Sequence, residues 1–243
     1  MKIGEGSKTW IVLKDLPLIG DIRINEVVVK GWIIIAVVAL LCIFLTRGLR
    51  TKNPKKKQII AEKLIITLDN LVSGTMGEQA ISYAPYIGAV FVYSAFGSAC
   101  ELLGTYPVTG DLNTTVGMAL ATVFLVFFNH IRSKGVLGWL KTFIKPYVFM
   151  LPINLASEIA MPVSLAFRHF GNIVGGTIIM GLFSNMLKSL SLMIPFNTLH
   201  IPFLEIGLPA ALALYFDVFS VAIQAFIFCM LTMVFVSQAM EKE

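Results

Sequence analysis

Apolar residues gather in five long runs along this chain, parted by polar connections. Runs 27–46, 81–100 and 112–129 are each near or above the ~20 residues a helix needs to cross a bilayer. Lys30 sits near the outer end of the first, and the other two carry no charge. "TGDLNTT" precedes the third, and its Asp111 and Asn113 are natural helix N-cap residues. Runs 149–187 and 201–237 are far longer than one perpendicular crossing. A helix of about 36 residues is roughly 54 Å long, against a hydrocarbon core of about 30 Å. It fits only at a tilt near ~55°, beyond the usual range of about 0–40°. Pro152 and Pro162 can bend or start helices. These lengths predict a hairpin of two long, steeply tilted helices, although two kinked spans with interfacial ends satisfy them too.

Between the first two runs lies "QIIAEKLIITLDNLVSGTMGEQ". Ile59, Ile60, Leu64, Ile66, Leu68, Leu71 and Val72 fall roughly at helical spacing, with Glu62, Lys63, Asp69 and Asn70 between them. That pattern predicts an amphipathic helix on the membrane surface, or equally a connector packed on a partner. The expected fold is an all-α polytopic membrane protein: about five membrane helices plus one interfacial helix, in a single membrane domain over 1–243. Its parts are an N-terminal segment 1–26, a span 27–46, a basic loop with the interfacial helix 47–80, two spans within 81–129, and the long pair 149–187 and 201–237.

Composition agrees. Hydrophobic residues make up 57% and charged residues 14% of the chain, where a soluble domain carries about a quarter charged. The net charge of +5 is no nucleic-acid signal, because the Lys and Arg residues sit in connections between apolar runs. Cys42, Cys100 and Cys229 lie far apart inside apolar runs, which excludes metal-ligand spacing and argues against a disulfide framework. The first 26 residues show no signal-peptide pattern. The stretch "RGLRTKNPKKK" holds six Lys/Arg, 101–111 none, 130–148 four and 188–200 one. The positive-inside rule then places 47–80, 130–148 and the C-terminus in the cytoplasm and the N-terminus outside. The N-terminal segment has four Lys/Arg of its own, so the orientation rests on the other loops.

One residue stands out. Arg168 lies near the middle of an apolar stretch, and the nearest acid in sequence, Glu158, is ten positions back. An arginine at the bilayer centre costs ~2.5–3.5 kcal/mol on insertion scales. Ser164, Arg168, Gly171, Asn172, Gly175 and Ile179 share one helical stripe. The small residues, Gly171-x-x-x-Gly175 with Gly176 adjacent, permit close helix approach. On the last run, Asp217, Ser220 and Gln224 fall at i, i+3 and i+7, with Phe228 continuing the line. Arg168 either pairs with Asp217 inside this chain or meets a carboxylate on another.

"PVSLAFRHFGN" followed by "GG", with "IQAFIF", "TGDLNTT" and "PIN" at 152–154, resembles subunit a of the F-type ATP synthase membrane sector, bacterial type. The resemblance covers most of the chain. It implies a non-catalytic stator subunit without cofactor or metal, in the bacterial plasma membrane among lipid. Its partners would be a rotating ring of subunit c, the peripheral-stalk subunit b and the other synthase subunits, with no nucleic acid. Arg168 would be the arginine that faces the ring, blocks direct ion leakage and helps displace the ion from each ring carboxylate. Asn172 and Gln224 would be its polar neighbours. Asp217 would stand in an outer half-channel, and Glu158, with Asn154 and Ser164, would line a cytoplasmic one. The ion would be H⁺, with Na⁺ as the alternative.

Some positions depart from the family pattern. Many members have an acid nine residues after the arginine and a His on the last helix; here those positions are Thr177 and Asp217. His169 stands where Leu is usual, and Glu101 where an amide is common. Glu205 opens the last run without an assigned role. The rival from another class is a self-contained secondary transporter built on an inverted repeat, but no repeat is visible. A membrane hydrolase has no nucleophile elbow or His/Asp/Glu cluster to rest on.

Overall fold

The computed structural model describes residues 9–16, 20–50, 54–100, 105–144, 147–193 and 203–241, with backbone alone over 9–24 and most of 203–217. Strands β1 (Thr9–Leu16) and β2 (Gly20–Asn25) form an antiparallel hairpin, pairing Thr9 with Asn25 and Leu16 with Gly20. The sequence did not foresee it. Two short strands carry a weak periodic signal, and charged residues interrupt their apolar positions. From Glu26 onward the described chain is helical, as expected.

Helix α1 (Glu26–Thr46) follows β2 directly. Only Val27, Gly31 and Ile34 are buried, while Trp32, Leu40 and Phe44 point outward, as suits a helix bathed in lipid. Gly31 is needed for packing, because a Cβ there would lie 3.0 Å from the Tyr93 hydroxyl. Lys30 pairs with Glu26 and donates to the Tyr106 carbonyl at 3.2 Å. The chain then turns into α2 (Lys56–Met76). Lys57 caps the end of α1 by donating to the carbonyls of Phe44 and Arg47, at 3.0 and 2.8 Å. Buried Gln58 clasps both the amide and the carbonyl of Arg50.

The two halves of α2 differ. Its C-terminal half buries Val72 and Met76, while Ile59, Ile60 and Leu64 are exposed. Gly77, at φ 86°, turns the chain into a 3₁₀ segment, Glu78–Tyr83, that leads into α3 (Ala84–Ala99). Helix α4 (Leu112–Ile144) starts where Asp111 accepts the Asn113 amide at 2.8 Å, the expected cap. The helix does not stop near Asn129. It runs on through the basic stretch and breaks at Gly135, with φ 70° and ψ 166°. Beyond the break Trp139 packs edge-on against Phe127 and Phe143. Span length is set by hydropathy, but helix length is not, since "HIRSK" has no helix breaker.

Helices α5 (Leu151–Met193) and α6 (Phe203–Met240) have 43 and 38 residues. At 1.5 Å per residue α5 is about 65 Å long, so it either lies obliquely in a ~30 Å core or runs beyond it. Pro152 sits at its second position and Pro162 inside it. The pair is antiparallel: Asn172 meets Ser220, while His169, earlier in α5, meets Phe228, later in α6. The core joins α2, α3, α4 and the second half of α6 through Val72, Ile87, Val126, Cys229, Met233 and Val236. Five helical stretches among the described residues are long and apolar enough to cross a membrane: Glu26–Thr46, Glu78–Ala99, Leu112–Ile144, Val148–Met193 and Val218–Met240. Helix α2 is not among them. The chain is an all-α polytopic membrane protein with an added N-terminal hairpin.

Candidate functional site

Helix α5 turns two very different faces to its surroundings. Leu165, Ala166 and His169 are buried against α3, α4 and α6, and Ile173 is buried near Gly110. Ser164, Arg168, Gly171 and Asn172 lie on the exposed side, with Ile179 farther along at 67% exposure. Among the described residues Arg168 makes no ion pair. A Cβ built on Gly171, Gly175 or Gly176 meets nothing within 4 Å. The glycine face is therefore not used for close packing among the described residues. It leaves a smooth open strip beside a guanidinium, where another helix can approach closely.

The polar residues of α6 reach the same region. Asn172 donates to the Ser220 hydroxyl at 2.7 Å, which ties the arginine stripe to the α6 stripe foreseen in the sequence. Gln224, one turn beyond Ser220, is 5% exposed, and Phe228, a further turn on, packs its ring against His169. The structure thus joins Asn172 to Ser220, with Arg168 one turn before the first on α5 and Gln224 one turn beyond the second on α6. Asp217 belongs to helix α6, but its side chain lies outside the described residues, as does that of Glu205; Glu101 lies outside them altogether.

Ten residues before Arg168 on the same helix, Glu158 is half-buried, and its Oε1 is enclosed with no hydrogen-bond partner among the described residues. Nearby on the helix, Asn154 donates to the Phe143 carbonyl at 2.9 Å. Thr177 is half-buried and bonds back to the Ile173 carbonyl at 2.9 Å. An enclosed acid with an open valence is the kind of group that exchanges protons or holds a cation. No group of three or more His, Cys, Asp or Glu side chains able to hold a metal occurs among the described residues.

Sequence reasoning left His169 without a role. It is fully buried, with Nε2 3.4 Å from the Ser94 hydroxyl of α3 and its ring edge-on to Phe228 at 5.6 Å. Ser94 and Ser98, one turn apart on α3, are also buried, and Ser98 bonds Thr109 at 2.5 Å. The available signal was two serines at i, i+4 in an otherwise charge-free span.

Comparison with known proteins shows the family. The sequence model of the family described as "ATP synthase A chain" matches residues 28–237. The chain is similar to a Propionigenium modestum protein, "ATP synthase subunit a, sodium ion specific", at 34% identity over 75% of this chain and 63% of that one. It is similar to "ATP synthase subunit a 2" of a Bradyrhizobium species at 31% identity over 91% of each chain. It is also similar to "ATP synthase subunit a" of Desulforamulus reducens at 32% identity over 86% of this chain and 77% of that one. The chain belongs to the ATP synthase subunit a family, the non-catalytic, ion-translocating membrane subunits that work within the synthase complex.

Proposed function

We propose that Arg168 faces a ring of subunit c and that its counter-ion is the ring carboxylate, renewed as the ring turns. The observation that carries this reading is the open strip: a mid-membrane arginine without an ion pair among the described residues, beside glycines whose missing Cβ atoms point into empty space. An arginine held at membrane depth without a counter-charge is costly. A partner that presents one acid after another offsets that cost without locking the pair. Asn172 and Gln224 flank the guanidinium. Asp217 serves an outer half-channel, and Glu158, with Asn154 and Ser164, a cytoplasmic one. The two channels are offset, so an ion crosses only by riding the ring.

The whole chain, 1–243, acts as one membrane domain in the bacterial plasma membrane, with its N-terminus outside and its C-terminus in the cytoplasm. Helices α5 and α6 lie obliquely along the ring, and α2 lies at the cytoplasmic surface. The peripheral-stalk subunit b holds the chain against rotation. The coupling ion is H⁺; Na⁺ is the second reading, supported by the sodium-specific relative. Arg168→Ala or Arg168→Gln in the whole complex is expected to abolish ion-driven ATP synthesis while assembly persists. Arg168→Lys also fails largely, because a compact ammonium lacks the planar fork that addresses two carboxylates. Normal synthesis by the assembled Ala variant overturns the assignment.

A further inference from the structure

The imidazole next to Arg168 is an unusual group to bury. His169 is 0% exposed, and its Nδ1 is enclosed without a hydrogen-bond partner among the described residues. Its other nitrogen makes one long contact, 3.4 Å to Ser94. Burying a ring with an unsatisfied nitrogen is unfavourable. Its nearest neighbours on the inward face are Leu165, Ala166 and Ile173, so an aliphatic side chain would pack there at lower cost. The histidine therefore contributes something other than stability.

What it contributes is direction. Helices in lipid lack a hydrophobic drive toward one another, so an apolar stripe holds a helix in place without strongly setting its rotation. The glycines near Arg168 add no close packing among the described residues, since a Cβ built on Gly171, Gly175 or Gly176 meets nothing within 4 Å. Beside the arginine, two sets of contacts among the described residues bear on rotation about the α5 axis. One is Asn172 to Ser220, at 2.7 Å. The other is His169, which engages two helices at once: Ser94 on α3, and Phe228 on α6 with rings 84° apart. One residue along a helix is about 100° of turn. A ring pinned inward at His169 thus holds the Arg168 side chain on the open strip.

We propose that His169 is a positioning residue: through Ser94 and Phe228 it sets the rotation of α5 so that Arg168 points at the partner helix. This rests on the reading of Arg168 given above. The test uses the whole complex in liposomes, reading ion-driven ATP synthesis, passive ion leak and the amount of complex. His169→Leu, Ser94→Ala and the double variant form a cycle, and His169→Gln, whose amide nitrogen can replace Nε2, is the conservative rescue. One hydrogen bond of ordinary net strength corresponds to about 3- to 10-fold in an equilibrium. The expected results are a loss of synthesis per complex of about that size for His169→Leu, with raised leak. The double variant is no worse than His169→Leu alone, and His169→Gln recovers most of the rate. A cysteine at Ile179 is also expected to crosslink less to the ring in His169→Leu. Multiplicative losses in the double variant, or a defect confined to the amount of complex, overturn the proposal. Normal synthesis by assembled Arg168→Ala removes the reading beneath it, whereas the His169 cycle can fail with Arg168 still essential.

Discussion

The packed side of this molecule and the open side of α5 treat polar groups in opposite ways. Where α3, α4 and α6 meet, several polar side chains find partners within the chain, although Nδ1 of His130 and of His169 has none among the described residues. Tyr83 donates to Asn129 at 2.6 Å, Thr122 lies 3.3 Å from Thr232 and 3.4 Å from Tyr86, and Ser133 reaches the Met240 carbonyl at 3.3 Å. On the open side of α5, Arg168 has no ion pair among the described residues, and three glycines border empty space. Exposed apolar residues do not distinguish the two regions, because lipid and a partner helix satisfy Ile179 or Leu182 equally well. Unmatched charge and missing side chains do, since lipid cannot compensate the first and gains nothing from the second.

Four changes test that contrast, from the largest expected effect to the smallest. Gly175→Leu places a bulky side chain on the open strip. The subunit is expected to accumulate and fold as before, while crosslinking to subunit c and ATP synthesis are lost; a misfolded subunit would mean that the strip belongs to the core. Asp217→Asn is expected to slow synthesis strongly without loss of assembly. Adding back the commoner family arrangement, Thr177→Glu with Asp217→His, recovers part of the rate. A structural Arg168–Asp217 pair predicts instead poor assembly of the Asn variant, since breaking a buried pair costs about 3–5 kcal/mol, and no rescue by the swap. Complex levels measured beside synthesis rates separate the two.

On the packed side, Met233→Ala opens a cavity among Val72, Ile87 and Val236. It is expected to destabilise the folded subunit by about 2–5 kcal/mol, read as a lower denaturation midpoint in detergent. Any surviving complex should make ATP at the normal rate. Tyr83→Phe removes only the bond to Asn129 and is expected to cost about 0.6 kcal/mol, the usual scale for such bonds between membrane helices. A synthesis defect at normal complex levels in either variant erases the contrast.

Much of this was legible in the residues alone. The five apolar runs became five span-length helical stretches, because hydropathy over ~20 residues reports directly on the solvent a helix prefers. Asp111 caps α4 as its position announced. The charge at Arg168 was conspicuous for its cost, and the Asn172 and Ser220 stripes did meet. The β-hairpin over residues 9–25 and the continuation of α4 to Ile144 were not visible. Strand pairing is a contact between segments, and helix ends in polar sequence depend on local bonding rather than hydropathy.

Sequence by itself determined which segments are helical and apolar, the relative angles of residues on each helix, and the family. Periodicity says that Arg168 and Gly175 share a stripe and that His169 stands about 100° away. It cannot say which stripe a neighbour covers, because small residues serve equally well against a helix of the same chain and against one of another. Tertiary structure decided that. It laid Leu165, Ala166 and His169 against α3, α4 and α6 and left the glycine strip open. The reason is physical: an interior has room for one face of α5, and the one buried around the arginine carries Leu165, Ala166, His169 and Ile173 rather than the glycines.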